Sequence, residues 1–551
     1  MKKWKILNEL RIKNPELRIE DITKILLENR EIKTKREIKD FLNPRLEDVT
    51  VDSVGINNAQ LKKALIRIKL AIKNKENIVV FGDYDVDGIC GTAILWETLN
   101  SLGAKVMPYI PHRIDEGYGL SETGIKNLKF KIKNCSLIIT VDNGIVANDA
   151  VDFANKEKID VIITDHHVPS KIKPKAFSIV HTTSLCGTGV AWMLAQELKK
   201  NKDHLELVAL ATVADLVPLK GANRTLLKFG LEELKKTKRV GLLELFKEAG
   251  LPKNSIGVYE IGHLIAPRLN AMGRLEYAMD SLRLICTNNP KRAAELARLL
   301  GTTNRERQEL TLQSVLHARA YVNSKKPKLK NLLFIAHESY EQGVIGLVAG
   351  KMVEEFYRPA IVVSRGEKFS KGSARSVSGF NIIEFIREYS SYLIDAGGHP
   401  MAAGFTVETT KLLKLQKALE NKAELVLNKD LLTRSLRIDC ELPLSFIDIN
   451  LYESLQALSP FGMGNPEPTF ISKGVVVGDL RLVGAEGKHL KLVVSSQKPE
   501  VRFDGIAFGM GEIKKEINIG DKIDIVYTID ENEWNGEKKL QLKIKDFRKA
   551  I

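Results

Sequence analysis

The chain has 551 residues, 44% hydrophobic and 28% charged, which excludes a wholly disordered, collagen-like or mucin-like polymer and allows about three or four domains. Its 84 Lys and Arg outnumber 69 Asp and Glu, for a formal charge of +15, which points to a polyanionic partner, nucleic acid before an anionic membrane surface.

The first fifty residues read as small amphipathic helices ending at Phe41-Leu-Asn-Pro44. A helix is expected from Asn58 to about Asn74, then short apolar strands at 78–81, 105–110, 136–141 and 160–164, separated by helical periodicity and with one helix starting near Gly91. Short buried strands alternating with helices predict a parallel α/β sheet. Residues 205–214 and 223–248 read as helical. A long helix opening on Pro290 and running to about Asn323 reads as a connector. A second α/β unit begins at 332–335, with a helix at 343–357, a strand at 360–364, a helix at 381–393 and a glycine-rich return at 397–405. From about 435 the pattern changes to five short strands, 469–477, 489–495, 501–508, 522–528 and 540–544, which predict a small barrel of the OB type. The expected fold class is therefore α/β, two α/β lobes joined by a long helix, with a C-terminal β-barrel. Its boundaries are a helical segment 1–50, a first lobe 51–285, a connector 286–328, a second lobe 329–430 and a barrel 431–551.

Five cysteines, an odd number with no C-x-x-C pair, argue against a disulfide framework or structural zinc and for a reducing, cytoplasmic setting. The charged start MKKWKILNELRIKNPEL does not read as a signal peptide, and no apolar run of about 18 residues predicts a membrane span.

Acids appear just past the ends of the apolar strands. Phe81-Gly-Asp83-Tyr-Asp85-Val-Asp87-Gly88 follows the first, Val141-Asp142-Asn-Gly144 another and Thr164-Asp165-His166-His167 a third, while Asp215 ends the apolar helix. Ligands bind beyond the carboxyl ends of parallel strands, so one rim should gather these groups. So many carboxylates repel one another unless cations neutralise them. Oxygen donors with one or two imidazoles suit Mn²⁺ or Mg²⁺ better than zinc, and paired metals in mixed Asp/His sites cleave phosphoesters. The bland readings are a turn, a capped loop or an EF-hand start. The last fails because the twelfth position from Asp83 is Ile94, where the loop needs Glu.

For nucleic acid, Arg113 shares the acidic rim, Arg268 and Arg274 lie late in the first lobe, and Gly372-Ser373-Ala-Arg375-Ser reads as an anion-binding loop. Gly397-Gly398-His399 offers another close backbone approach. Tyr118, Phe380 and Phe461 are candidate stacking platforms, each equally a core residue. Arg481, Lys488, His489, Lys491 and Arg502 of the barrel form either a basic groove or a solvated face.

Asp165-His166-His167-x-Pro169 resembles the name-giving motif of the DHH phosphoesterase superfamily, and GDYDVDG, VDNG and VALATVADLVPL resemble its other motifs. Ile265-Ala-Pro-Arg268-Leu-Asn270-Ala-Met-Gly273-Arg274 resembles the RecJ branch, as do Gly343-Val-Ile-Gly346, Arg358-Pro359, Gly372-Ser373-Ala-Arg375-Ser376 and Gly397-Gly-His399-Pro-Met-Ala-Ala-Gly404 of the DHH-associated domain. Pro460-Phe-Gly462-Met-Gly464-Asn-Pro466 and Gly487-Lys-His489-Leu-Lys491 resemble its OB part.

The resemblance covers the chain from about Phe41. It implies a 5′→3′ exonuclease specific for single-stranded DNA, releasing 5′-mononucleotides in repair and recombination with two Mn²⁺ or Mg²⁺. It implies metal ligation by Asp83, Asp85, Asp87, Asp142, His166 and Asp215, with Asp142 bridging and His167 supporting the phosphate or leaving group. The 5′-end grip falls to Arg113, Arg268, Arg274, Gly372, Ser373, Arg375 and His399. A monomer working beside a helicase and a single-strand-binding protein, with no membrane, completes the expectation.

The chain departs from the family pattern at Tyr340-Glu341-Gln342, where Trp-His is usual before Gly343, and in the shortened stretch Val180–Leu185. Rival readings are a DHH phosphodiesterase of short oligonucleotides or cyclic dinucleotides, a non-catalytic single-strand-binding replication scaffold, and an inorganic pyrophosphatase.

Overall fold

Apolar runs bounded by turn residues form the strands of three sheets in the computed structural model, which describes residues 2–8, 18–113, 115–325, 329–496, 501–534 and 536–550. The chain divides into two compact units, one of Val49–Asp215 and Leu226–Arg434, the other of Met1–Asp48, Leu216–Thr225 and Ser435–Ile551.

In the larger unit, five parallel strands lie in the order Lys105–Tyr109, Asn77–Gly82, Cys135–Val141, Asp160–Asp165, Ser178–His181. The first strand in sequence thus lies between the second and the third, a doubly wound order whose switch point falls between Asn77–Gly82 and Cys135–Val141. Phe81 pairs with Thr140 and Val141 with Thr164, so Asp83, Asp142 and Asp165 leave the sheet at one level. The strand interiors, Ile78 to Phe81 and Leu137 to Ile139 among them, are fully buried between helices.

The same unit holds a mixed sheet in the order Leu393–His399, Ala402–Glu408, Phe369–Arg375, Ala360–Ser364, Leu333–His337, with only the last pair parallel. The helix Pro290–Ser324 leads into it, capped by the Asn289 side chain on the Arg292 N–H.

In the smaller unit, Phe470–Val483, His489–Ser495, Arg502–Ala507, Glu537–Lys549 and Lys522–Trp534 pair in turn, and the last pairs back onto the first, closing a five-strand barrel. Ile22, Leu26 and Phe41 join its core beside Leu442, Phe470 and Tyr527. Two buried arginines fasten this unit. Arg224 donates to the carbonyls of Phe41 and Leu458, both at 2.9 Å, and Arg30 donates to Asn465 Oδ1 and the Leu26 carbonyl, both at 2.7 Å. Asn465 of the Pro460–Pro466 motif is therefore a core fastener.

Several expectations need correction. The N-terminal stretch is not helices alone, because Lys3–Asn8 is a strand paired in parallel with Ser435–Glu441. The helices Ile19–Glu28 and Lys35–Leu42 follow, and 9–17 lie outside the described residues, as do 326–328 at the end of the expected connector. The helix expected from Gly91 begins at Val86, since the Asp85 carboxylate accepts the Asp87 and Gly88 N–H groups and makes the acidic run itself the first turn. Residues 223–248 form two helices, Gly221–Lys236 and Val240–Glu248, separated at Thr237-Lys238-Arg239. The helix expected over 381–393 ends at Arg387, and Leu393 starts a strand. Gly372 to Arg375 belong to a strand rather than a loop. All five cysteines are free, and no described helix is long and apolar enough to cross a membrane.

Candidate metal centre and phosphate pocket

The acids gather where the switch point places them. Asp142 sits in the left-handed region (φ 62°), which Asp tolerates, and the next residue holds the turn. Asn143, buried, donates to the carbonyls of Val141 (2.8 Å) and Phe81 (3.3 Å) and accepts from the Leu120 N–H (3.1 Å), tying two strand ends to a loop. Asp165 accepts from the N–H groups of His166 (2.7 Å), His167 (3.1 Å) and Ile145 (2.9 Å), so it organises the loop that bears both histidines. Asp87 accepts from Gly187 N–H (2.7 Å) and Thr188 N–H (2.6 Å) at the start of the helix Gly187–Leu198, where the helix dipole favours its charge.

Three overlapping groups of donors result: Asp83, Asp85 and Asp142; Asp87, His166 and Asp215; and Asp142, His166 and His167. His166 Nε2 joins the groups, 3.2 Å from Asp142 Oδ1, 3.6 Å from Asp215 Oδ2 and 3.8 Å from Asp87 Oδ2. His167 stands near Asp142 at 3.8 Å, but its Nδ1 is engaged by Asp165 Oδ1 at 2.8 Å and its Nε2 faces the Tyr118 hydroxyl at 3.2 Å.

Burial and mutual repulsion act on this cluster. Burial first, then the charges of neighbouring acids, hold Asp83, Asp85 and Asp142 above the usual carboxylate range and push Asp215 up to about 8. Burial holds His166 low, hence neutral with a free lone pair, the form that ligates metals. Burial also opposes charge on His167, yet the Asp165 hydrogen bond and charge prevail and raise it to about 9. Without metal, His167 therefore favours its protonated form at neutral pH, the form that meets an anion.

A divalent cation pair fits these residues. Asp83 Oδ1 and Asp142 Oδ1 are buried with no hydrogen-bond partner, and orphaned acceptors in a water-poor site are costly unless a cation meets them. The donors are carboxylate oxygens and one neutral imidazole, the set that Mn²⁺ and Mg²⁺ accept.

A second cluster is cationic. Arg274, partly buried, is depressed to about 10, by burial first and then by the neighbouring charges of Arg113, Arg307 and Arg375. Arg375 is likewise lowered by burial and then by Arg113. Its guanidinium rests on Ser373 Oγ (3.3 Å) and the Ala374 carbonyl (2.8 Å). A Cβ on Gly346 would lie 3.0 Å from both Arg375 and Ser373, so that glycine leaves them room. Arg274 donates to the Gly343 carbonyl at 3.1 Å, and Arg113 lies over the Tyr84 ring. Arg307 Nε is buried without a hydrogen-bond partner. Arg113, Arg307 and Arg375 thus all act electrostatically on Arg274, a concentration of positive charge of the kind that multiply charged anions meet.

Of the other expected residues, His399 stacks on His167 with centroids 5.6 Å apart. Gly372 packs so closely against the Phe405 ring that a side chain would not fit there. Arg268 has other partners, Glu248 Oε2 at 2.7 Å and the Leu264 carbonyl at 2.7 Å. Tyr118 is half exposed beside His167, whereas Phe380 and Phe461 pack against cores. In the barrel, Arg481 pairs in register with Lys491, which also reaches Asp504 at 3.4 Å, and His489 Nδ1 accepts from the Gly509 N–H. Arg502 lies opposite Ser495, and Lys488 precedes the His489 strand. At the departure from the family pattern, Tyr340 is buried and its hydroxyl meets His317 Nδ1 at 2.7 Å, so it serves the core.

Sequence reasoning missed Asn143, Gly187 with Thr188, and Arg307. It also left unassigned Asn270, whose Oδ1 accepts the Val86 N–H at 2.9 Å. Only the strand-end position of Asn143 signalled a role; the rest depend on long-range packing.

Comparison with known proteins accords with this geometry. Residues 77–214 match the DHH family, N-terminal domain, 329–425 the DHHA1 domain and 438–546 the RecJ OB domain. The single-stranded-DNA-specific exonuclease RecJ of Dickeya dadantii is 30% identical over 88% of this chain and 89% of its own length. The chain belongs to the RecJ family. The Bacillus subtilis member is 38% identical over 88% of this chain, which spans 63% of that relative's length. The crystal structure of RecJ in complex with Mn²⁺ from Thermus thermophilus superposes with a TM-score of 0.83 at 27% identity, over 100% of this chain and 80% of that one.

Proposed function

We propose that the chain is a metal-dependent exonuclease that trims single-stranded DNA from the 5′ end and releases 5′-mononucleotides, in DNA repair and recombination. The observation that carries this reading is the presence, in one unit, of an acid–imidazole cluster able to hold metal and of Arg274 with three further arginines in electrostatic reach. Asp83, Asp85 and Asp142 would hold one cation, and Asp87, His166 and Asp215 the other, with Asp142 within reach of both. When bound, two such cations supply a more acidic water and positive charge around the scissile phosphate.

The remaining chemistry belongs to side chains. Protonated His167, held by Asp165, donates toward a phosphate oxygen or the leaving 3′ oxygen. Arg113, Arg274, Arg307, Arg375 and Ser373 hold the 5′-terminal phosphate, and a fixed distance from that grip to the acids selects the bond to be cut. Arg268, held by Glu248 and the Leu264 carbonyl, is given no share of that grip in this reading. The OB barrel adds grip on the strand through its basic residues. The same reading has the protein act as a cytoplasmic monomer, with a helicase and a single-strand-binding protein as partners.

A 3′-labelled single strand followed in Mn²⁺ tests the proposal. Gradual shortening with the label retained is the expected result. Immediate release of a labelled mononucleotide reverses the polarity, and equal digestion of blunt duplex overturns the strand selectivity.

A further inference from the structure

We propose that Tyr259 and His263 form a stacking platform for a base of the single strand on the 3′ side of the cut, an inference that rests on the exonuclease reading. The two rings stack at 4.4 Å with 19° between planes, and Tyr259 is 63% exposed. The His263 ring is pinned by the hydrogen bond between its Nδ1 and the Tyr259 carbonyl at 3.1 Å. A pinned, solvent-facing aromatic pair loses little freedom when a base stacks on it.

Their place along the chain gives the pair its meaning. Val258–Glu260, Ile261–Ile265 and Ala266–Leu275 run on as one helical stretch. At its C-terminal end Arg274 feels the charges of Arg113, Arg307 and Arg375, and one turn earlier Asn270 holds the Val86 N–H in the acidic run. Tyr259 and His263 lie toward the N-terminal end, roughly 10–16 Å from Asn270 at ~1.5 Å per residue. The stretch thus presents, in order, the 5′-phosphate grip, the cutting point and the aromatic pair. A strand gripped at its 5′ end and cut at the acids carries its remaining bases in the same direction.

Two local features support that placement. Residues 261–265 form a π turn, in which the Ala266 N–H reaches the Ile261 carbonyl, a distortion that recurs at functional sites. Gly262, next to His263, packs on Val213, two residues before Asp215.

The test compares kcat/KM in Mn²⁺ for a 5′-phosphorylated strand of about ten nucleotides with that for a 5′-phosphorylated dinucleotide. In Tyr259→Ala and His263→Ala the preference for the longer strand is expected to fall roughly five- to a hundredfold, the usual worth of one stacked base, and Tyr259→Phe is expected to keep it. A single abasic position walked along the strand should slow the full-length protein at one position past the first bond, and that penalty should vanish in Tyr259→Ala. Retention of the long-strand preference in Tyr259→Ala, or an unchanged abasic penalty, overturns the platform while leaving the exonuclease reading intact. Failure of the unaltered protein to cut either substrate removes the exonuclease reading, and the platform with it.

Discussion

Gly187 and Asp142 touch so closely that no side chain fits between them: a Cβ on Gly187 would lie 2.5 Å from Asp142 Cβ and 2.7 Å from its Oδ1. The same glycine's N–H holds Asp87, so one small residue sets the positions of two acids, one just past a strand and one in the first turn of a helix. Gly187→Ala is therefore expected to weaken Mn²⁺ binding and cleavage by about 10–100-fold, as loss of a residue supporting a metal ligand does. Calorimetric titration with Mn²⁺ and a nuclease assay would measure both, and unchanged Mn²⁺ affinity would contradict the argument.

Asp142→Asn separates function from stability. Burial and neighbouring acids make the Asp142 charge unfavourable when no cation is present. The variant is expected to lose cleavage by more than about a hundredfold, beyond what a supporting residue alone accounts for. In EDTA it should nevertheless melt at a higher temperature than the unaltered chain.

The metal-free protein should become less stable as pH rises. Asp83, Asp85, Asp142 and Asp215 have raised folded values, Asp215 about 8, so the folded state holds protons that the unfolded state releases from about pH 4 upward. His167, raised to about 9, acts in the same direction, because its contribution is complete below pH 6.5 and is lost toward pH 9. His166 and Asp165, both lowered, act in the opposite sense, chiefly on the acidic side. Thermal melts in EDTA should decline between about pH 5 and 9, and Mn²⁺ should flatten that slope because it takes the place of the protons. A melting temperature rising with pH in EDTA would count against the assignment.

Arg375→Ala and Arg307→Ala should each lower the preference for a 5′-phosphate over a 5′-hydroxyl end by about tenfold or more, the worth of one charged hydrogen bond. Arg268→Ala should spare that preference and instead lower stability, since it leaves Glu248 with fewer partners. Competition binding with both strand types distinguishes the two behaviours.

The acids were legible because strand ends and carboxylates are local signals that a parallel sheet collects at one edge. The barrel was legible for a similar reason, as period-two runs between turns. The sheet order, with Asn77–Gly82 inside, is not a local property, and neither is the role of Arg307, which reads in sequence as one more charge on a long helix. Arg268 shows what a motif leaves out: its pairing with Glu248, twenty residues earlier in the chain, is not visible in the sequence. Gly372 to Arg375 read as a loop because small residues signal turns, whereas here they let a strand pass close to the Phe405 ring.

The chain leaves the larger unit immediately after Asp215, spends Leu216–Thr225 in the barrel-bearing unit, and returns at Leu226. An acid of the proposed metal centre is thus covalently next to a segment whose Arg224 needs carbonyls from Phe41 and Leu458. Along the sequence the two units alternate, with the chain passing from one to the other four times. A chain shortened before Ser435 would keep that arginine in place with the Leu458 acceptor gone, one short segment away from Asp215. Loss of cleavage in such a deletion would not measure strand grip alone, and swapping barrels between relatives calls for exchanging Leu216–Thr225 and the N-terminal residues together with the C-terminal part.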